Sequence, residues 1–117
     1  SLYAYFSVAM SSQLIRRENA PTIRLTQIGN PAQTVLLLEN LLSSEKKVHD
    51  GQKDDDLGQP ASWATRFSGY RHGNGGILSF TDGHADWFKG NQVVHTEGDF
   101  AGKAPKNGPD IIWIPEN

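Results

Sequence analysis

The feature that most constrains the fold is a pair of alternating segments joined by Asp82-Gly83. On either side of this pair two sets of side chains alternate along the chain, which is the period of a β-strand. An Asp-Gly pair between two such runs is the strongest short-range sign of a β-hairpin, because a type I′ turn needs a positive φ at both central residues. The sequence therefore predicts a hairpin over residues 76–88. The side chains predicted to share its core face are Leu78, Phe80, Ala85 and Trp87.

Three further segments have strand patterns. Residues 2–10 alternate with a period of two, which places their larger side chains on one sheet face. Residues 34–38 form a continuous apolar run, which predicts a strand at the centre of the core with both faces covered. Residues 111–114 are apolar and precede a proline, which favours a final strand at a sheet edge. We expect an α+β, mostly β fold, a small antiparallel sheet with long loops.

The remaining segments are typical of loops. With 117 residues the chain has the length of one domain, so residues 1–117 are predicted to share one core. Residues 39–60 are polar and predict a long, flexible, solvated loop, with a short helix around residues 41–45. Consecutive acids at 54–56 lack the alternating spacing of a calcium loop and indicate solvation. Trp63, Trp87 and Trp113 are expected to fill the core.

Composition excludes several classes of function. The chain has no cysteine, which excludes disulfides, thiolate nucleophiles and cysteine-bound zinc. Its net charge of -2 provides no basic field for nucleic acid. The longest apolar run, residues 35–38, is far too short to cross a bilayer. Because the chain begins at Ser1 without a signal segment, we expect it to be an excised or processed fragment.

One cluster of side chains could bind a divalent cation. His84 and Asp86 share a strand face at i and i+2, and either His72 or Asp82 would supply a third ligand. In the alternative interpretation Asp82 is a turn former that caps backbone N–H groups, and His84 and Asp86 are solvated. The glycines at 73–76 lack the Lys-Ser/Thr of a phosphate loop, and no nucleophile elbow is present. We therefore predict no enzyme activity and, apart from that cation, no cofactor.

The spacing around the hairpin carries a resemblance. His72 is followed by nine residues and then by Asp82-Gly83. Two upstream blocks occur in the matching order, residues 5–11 with a Tyr/Ser-rich Ala-Met pattern and residues 28–39 with a Pro-Ala-x-Thr-aliphatic pattern that ends in Glu39. These features resemble the prepilin-type-processing-associated H-x(9)-D-G domain family of bacterial pseudopilin-like proteins. The three blocks lie between residues 5 and 84 and so span most of the chain.

The resemblance implies a structural function. Such proteins have a prepilin leader, a long apolar N-terminal helix and a small antiparallel head domain, and this chain would be the head without its transmembrane helix. It would lie on the extracytoplasmic side of the bacterial inner membrane, anchored by that helix. Its partners would be other pilin-like subunits and the proteins of a type II secretion or type IV pilus-like assembly. His72 and Asp82 would then tie the loop before the hairpin to its turn, and Gly83 would fix the register.

Two alternatives stay open at this stage. An extracellular carbohydrate- or ligand-binding module would use exposed tryptophan and tyrosine rings, and it would need aromatic side chains outside the core. A metal-binding domain would use His72, Asp82, His84 and Asp86 together.

Overall fold

The computed structural model describes residues 7–14, 27–52, 61–62, 64–94 and 110–113. These residues form a mostly β fold, as the sequence predicted, with four antiparallel strands and one short helix. The elements in chain order are β1 (Val8–Ser11), β2 (Val35–Glu39), β3 (Ala61–Ser62), β4 (Gly75–Phe80), β5 (Ala85–Lys89) and α1 (Gly90–Val93). The strand order is β3-β1-β2-β4-β5, and the two-residue β3 pairs with β1 in parallel.

The apolar run at β2 lies inside the sheet, as predicted, between β1 and β4. Its two faces differ, however. Val35 and Leu38 are fully buried, whereas Leu36 and Leu37 are half-buried. The prediction that both faces of this strand are covered is therefore wrong for the described part of the chain. The pairing of β2 with β4 shifts register between Val35 and Leu37, which interrupts the regular alternation of side chains between the two faces of the sheet along β2.

The core lies on one face of the sheet, which we call the inner face. Side chains from β2 and β4 pack there against the 3-10 turn at Ala64–Arg66, the end of α1 and residues 111–113. The buried members of this core are Val35, Leu38, Ala64, Phe67, Leu78, Phe80, Val93, Val94, Ile111 and Trp113. Among the described residues, no helix has the length and apolar character needed to span a membrane.

The predicted hairpin is present, but its register differs by one residue. Ile77 lies opposite Trp87 and Ser79 opposite Ala85, so the loop contains Thr81, Asp82 and Gly83 instead of two residues. The Gly83 N–H donates to the Phe80 carbonyl at 2.9 Å, and Gly83 has a φ of 96°. This geometry is a turn closed by one left-handed glycine, which is the usual three-residue hairpin loop. A one-residue shift moves every side chain of β5 to the other face.

Three smaller predictions are corrected. The strand predicted over residues 2–10 is observed at Val8–Ser11, while residues 2–6 lie outside the described part. Residues 41–45 form a turn instead of a helix, with the Glu45 N–H donating to the Leu42 carbonyl. Within the described residues 110–113, the predicted last strand is reduced to a single parallel bridge between Ile112 and Thr34.

Candidate functional site

The turn end of the hairpin is held by backbone contacts to the segment that precedes β2. The Asp82 N–H donates to the Pro31 carbonyl at 3.2 Å, and the Thr81 N–H donates to the Thr34 carbonyl at 2.9 Å. The Thr81 hydroxyl also donates to the Pro31 carbonyl, at 3.0 Å. The Asp82-Gly83 turn is therefore attached to the start of the Pro-Ala-x-Thr block.

Within the described residues, the side chains of Asp82 and His84 at this turn contact only near neighbours in the sequence. The Asp82 carboxylate accepts from the His84 N–H at 3.1 Å and from the His84 ring Nδ1. The backbone hydrogen bond from His84, and to a smaller extent the ring hydrogen bond, lower the pKa of Asp82 below its ordinary value. The His84 ring stacks on Phe80 with 4.7 Å between centroids. Both polar side chains stay exposed, so this pair is a solvated turn contact.

The opposite end of the hairpin contains His72. Its ring Nε2 lies 3.0 Å from Glu39 Oε2, and its carbonyl accepts from the Trp87 indole Nε1 at 3.0 Å. The His72 N–H donates to the Gly75 carbonyl, which closes the loop before β4. The prediction that His72 is tied to Asp82 is wrong, because six residues of extended β4 separate the loop of one from the turn of the other.

Arg71 links four segments of the chain beside His72. Its guanidinium donates to both oxygens of Glu45, to Glu39 Oε2 and to the carbonyls of Ser7 and Asn40. These five hydrogen bonds use all five N–H donors of an arginine. No donor of this group is left for a ligand, so its arrangement is that of a structural brace.

The two carboxylates of this brace are also saturated. Glu39 Oε1 accepts from the Ile77 N–H at 2.7 Å, and Glu45 accepts from the Leu42 N–H and the Ser68 hydroxyl. Burial by itself raises the pKa of Glu45, but the hydrogen bonds from Arg71 and Leu42 and the charge of Arg71 outweigh it and lower that pKa overall. The hydrogen bond to Glu45 in turn raises the pKa of Arg71. Both groups are therefore held in their charged forms.

The structure does not bring the four predicted cation ligands together. His84 is paired with Asp82 at the turn, whereas His72 contacts Glu39 at the far end of β4. Asp86 accepts from the Trp87 N–H on β5. Within the described ranges, no group of three or more histidine or acidic side chains is placed to hold a metal ion. The segregation follows from the hairpin, whose length separates residues that are close in sequence.

The outer face of the sheet, opposite the core, is apolar and open. Its cross-strand rows place Met10 beside Leu37 and Ser79 beside Ala85. We call this surface the open face; it consists of Val8, Met10, Leu37, Glu39, Ile77, Ser79, Ala85 and Trp87. It contains a shallow depression of about 230 Å³ between β1, β2 and β4. The large apolar side chains that are exposed in the described part of the chain all belong to it: Val8 at 48%, Met10 at 41% and Trp87 at 42%.

Trp87 shows the consequence of the shifted register most directly. It was predicted in the core, yet its indole lies on the open face and is fixed there by the hydrogen bond to His72. The indole also covers Gly75, where a Cβ would lie 2.6 Å from ring atoms. Trp113 is buried in the core as predicted, and Trp63 lies outside the described residues. Within the described residues the open face thus has one exposed aromatic ring, whereas a carbohydrate-binding module would need a groove with several.

The brace was not identified from the sequence, although a partial signal existed. Arg71 directly precedes His72, and Glu39 ends the aliphatic block, so both residues stood inside the blocks that carry the resemblance. Their contact joins positions 32 residues apart, which no local pattern encodes. Glu45 had no signal, because its surroundings are those of any solvated loop.

Comparisons of this chain with protein-family models, with curated proteins and with solved structures find no match.

Proposed function

We propose that the chain is the head domain of a pilin-like protein of the bacterial cell envelope, a structural subunit of a type II secretion or type IV pilus-like assembly. The observation that carries this proposal is the open face. Six apolar side chains on four adjoining strands, with the rim residue Glu39 bound to Arg71 and His72, form a surface suited to a covering element. A subunit of this kind acts through packing and needs no catalytic group.

The three blocks that carry the resemblance support the proposal by contacting one another. The Ser7 carbonyl accepts from Arg71, and Met10 lies opposite Leu37 in the sheet. Pro31 holds the Asp82 turn, and Glu39 holds Arg71 and His72 at the other end of the hairpin. The residues of the motif thus serve as the attachment points of one small sheet. Such a role explains their spacing without invoking a ligand.

We propose that the cover of the open face is an apolar helix that precedes Ser1 in the full-length protein. The first strand described is β1, which lies beside β2 in the sheet, so a helix that precedes it in the chain would begin next to the open face. A helix with its side chains is about 10 Å across, which matches two or three strands spaced about 4.8 Å apart. In the full protein the same helix would also provide the membrane anchor and the contacts to neighbouring subunits.

The test begins with the gene product that contains the sequence before Ser1. We expect it to carry a prepilin leader and an apolar helix, to be shortened when a prepilin peptidase is co-expressed, and to sediment with the inner membrane. A leader variant that the peptidase cannot cleave is the matched control and should keep its full mass. A gene product with neither leader nor apolar helix, or one whose mass the peptidase leaves unchanged, would refute the proposal.

A further inference from the structure

A second surface of the molecule, separate from the open face, has basic and amide side chains. It is a pocket of about 410 Å³ formed by three separate chain segments, which we call the lysine pocket. Its lining residues are Lys46, Val48, Tyr70, Asn74, Lys89, Gly90 and Asn91. None of them carries a carboxylate, and none belongs to the open face. The protein as a whole has a net charge of -2, so this lining differs in sign from the rest of the chain.

The walls of the lysine pocket are fixed to the core. Val48 is half-buried and packs against the core cluster, and Gly90 is buried. The Gly90 N–H donates to the Asn74 carbonyl at 3.1 Å, which joins the loop before β4 to the end of β5. A Cβ at Gly90 would lie 2.6 Å from Val48 Cγ2, so glycine is needed for this close approach. The pocket is therefore a formed feature of the fold.

Its polar side chains have no ion-pair or hydrogen-bond partner among the described residues. The Lys46 ammonium lies 4.6 Å from the centroid of the Tyr70 ring, and it forms no ion pair with a carboxylate of the described chain. Lys89 likewise has no such pair, and the side-chain amides of Asn74 and Asn91 form no hydrogen bond among the described residues. Lys46 and Lys89 both line the pocket, so an anion bound in it would be attracted by two positive charges.

We propose that the lysine pocket binds a sugar that carries an anionic group, a carboxylate or a phosphate. The ammonium groups of Lys46 and Lys89 are donors only and suit the anionic oxygens. The amides of Asn74 and Asn91 both donate and accept, as hydroxyl groups require. A volume of about 410 Å³ lies within the range of small-molecule sites. The proposal is independent of the open face, so the two can fail separately.

The test is a titration of the 15N-labelled 117-residue chain with glucuronate, glucose 6-phosphate, glucose and inorganic phosphate, followed by NMR. We expect the two anionic sugars to shift the backbone signals of Lys46, Asn74 and Asn91, and the stronger of the two identifies the anionic group. Glucose at equal concentration should shift none of them. Equal binding of glucose, equal binding of inorganic phosphate or no saturable shift with either anionic sugar would overturn the proposal.

Matched variants locate the binding. Lys46→Gln and Lys89→Gln should each weaken the binding of the preferred sugar about tenfold, because each removes one charge-assisted hydrogen bond. Lys47→Gln removes an exposed lysine beside the pocket that is not part of its lining, and it should bind as the wild type does. All three positions are exposed, so the thermal midpoint should stay unchanged and report that each variant is folded. Wild-type affinity in Lys46→Gln and Lys89→Gln would overturn the assignment.

Discussion

The two ends of the hairpin contain the two halves of one sequence motif, and they are built differently. At the end with His72, an arginine and two carboxylates with low exposure join segments up to 64 residues apart. At the end with Asp82, an exposed carboxylate contacts a histidine two residues away, and the neighbouring segment at residues 31–34 is reached by two backbone N–H groups and the Thr81 hydroxyl. The spacing of a motif therefore does not reveal which half lies among long-range side-chain contacts. Each of the following changes tests the difference between the two ends.

The largest effect is expected from Arg71→Ala. Removing the arginine leaves Glu39 and Glu45 without their charge partner in a site with little solvent access, so unfolding should become easier by about 3 kcal/mol. Urea unfolding followed by circular dichroism measures the change. Arg71→Lys keeps the charge but loses the planar guanidinium, so its free energy of unfolding should lie between those of the wild type and Arg71→Ala. An Arg71→Ala protein as stable as Lys47→Ala, an exposed control, would show that the brace contributes nothing.

Gly83→Val should give the next largest effect, at the other end of the hairpin. A β-branched residue is strained at a φ of 96°, and the expected loss is roughly 1–3 kcal/mol. Gly83→Asn is the matched control, because asparagine tolerates the left-handed region, and it should cost much less. Thermal unfolding of both variants provides the measurement. Equal melting temperatures for valine and glycine at this position would contradict the three-residue turn.

The pH dependence of stability should reveal the contribution of the Glu45 carboxylate. The pKa of Glu45 is lowered in the folded state, so its contribution is present above its ordinary value of about 4.5 and is lost as the pH falls through the folded pKa. Urea midpoints measured from pH 6 to pH 3 should therefore fall less steeply in Glu45→Gln than in the wild type. Identical slopes would mean that the Arg71 contact does not favour the charged form of Glu45.

The smallest effect is expected from Asp82→Asn. The pKa of Asp82 is also lowered in the folded state, by hydrogen bonds from His84, but solvent surrounds the pair. Asparagine keeps the turn and one acceptor oxygen, so the melting temperature at pH 7 should barely move. Differential scanning calorimetry on both proteins is sufficient. A loss as large as that of Arg71→Ala would remove the asymmetry between the two ends.

The sequence was informative where the signal is local and failed where it is not. The hairpin and the central strand β2 were predicted because alternation and turn chemistry are written in neighbouring residues. The register was wrong by one because Asp-Gly serves both two-residue and three-residue loops, and only contacts of Thr81 and Asp82 with residues 31–34 select the longer one. That shift alone moved Trp87 from the predicted core to the open face.

The candidate site was predicted only in part for the same reason. His72, Asp82 and Gly83 were singled out, and Gly83 has the positive φ that its turn requires. The partner of His72 was not predicted, because Glu39 is 33 residues away and becomes a neighbour only when β2 pairs with β4. A functional interpretation of the spacing alone would have placed a cation among residues that the hairpin separates.

The most direct test of the central claim is whether the open face is covered in the full-length protein. The chain has no cysteine, so Met10→Cys introduces a single thiol on that face and Lys47→Cys provides an exposed control elsewhere. Thiol labelling in isolated membranes should modify Lys47→Cys quickly and Met10→Cys slowly, whereas both should react quickly in the 117-residue chain. Equally fast labelling of Met10→Cys in the full-length protein would contradict the account.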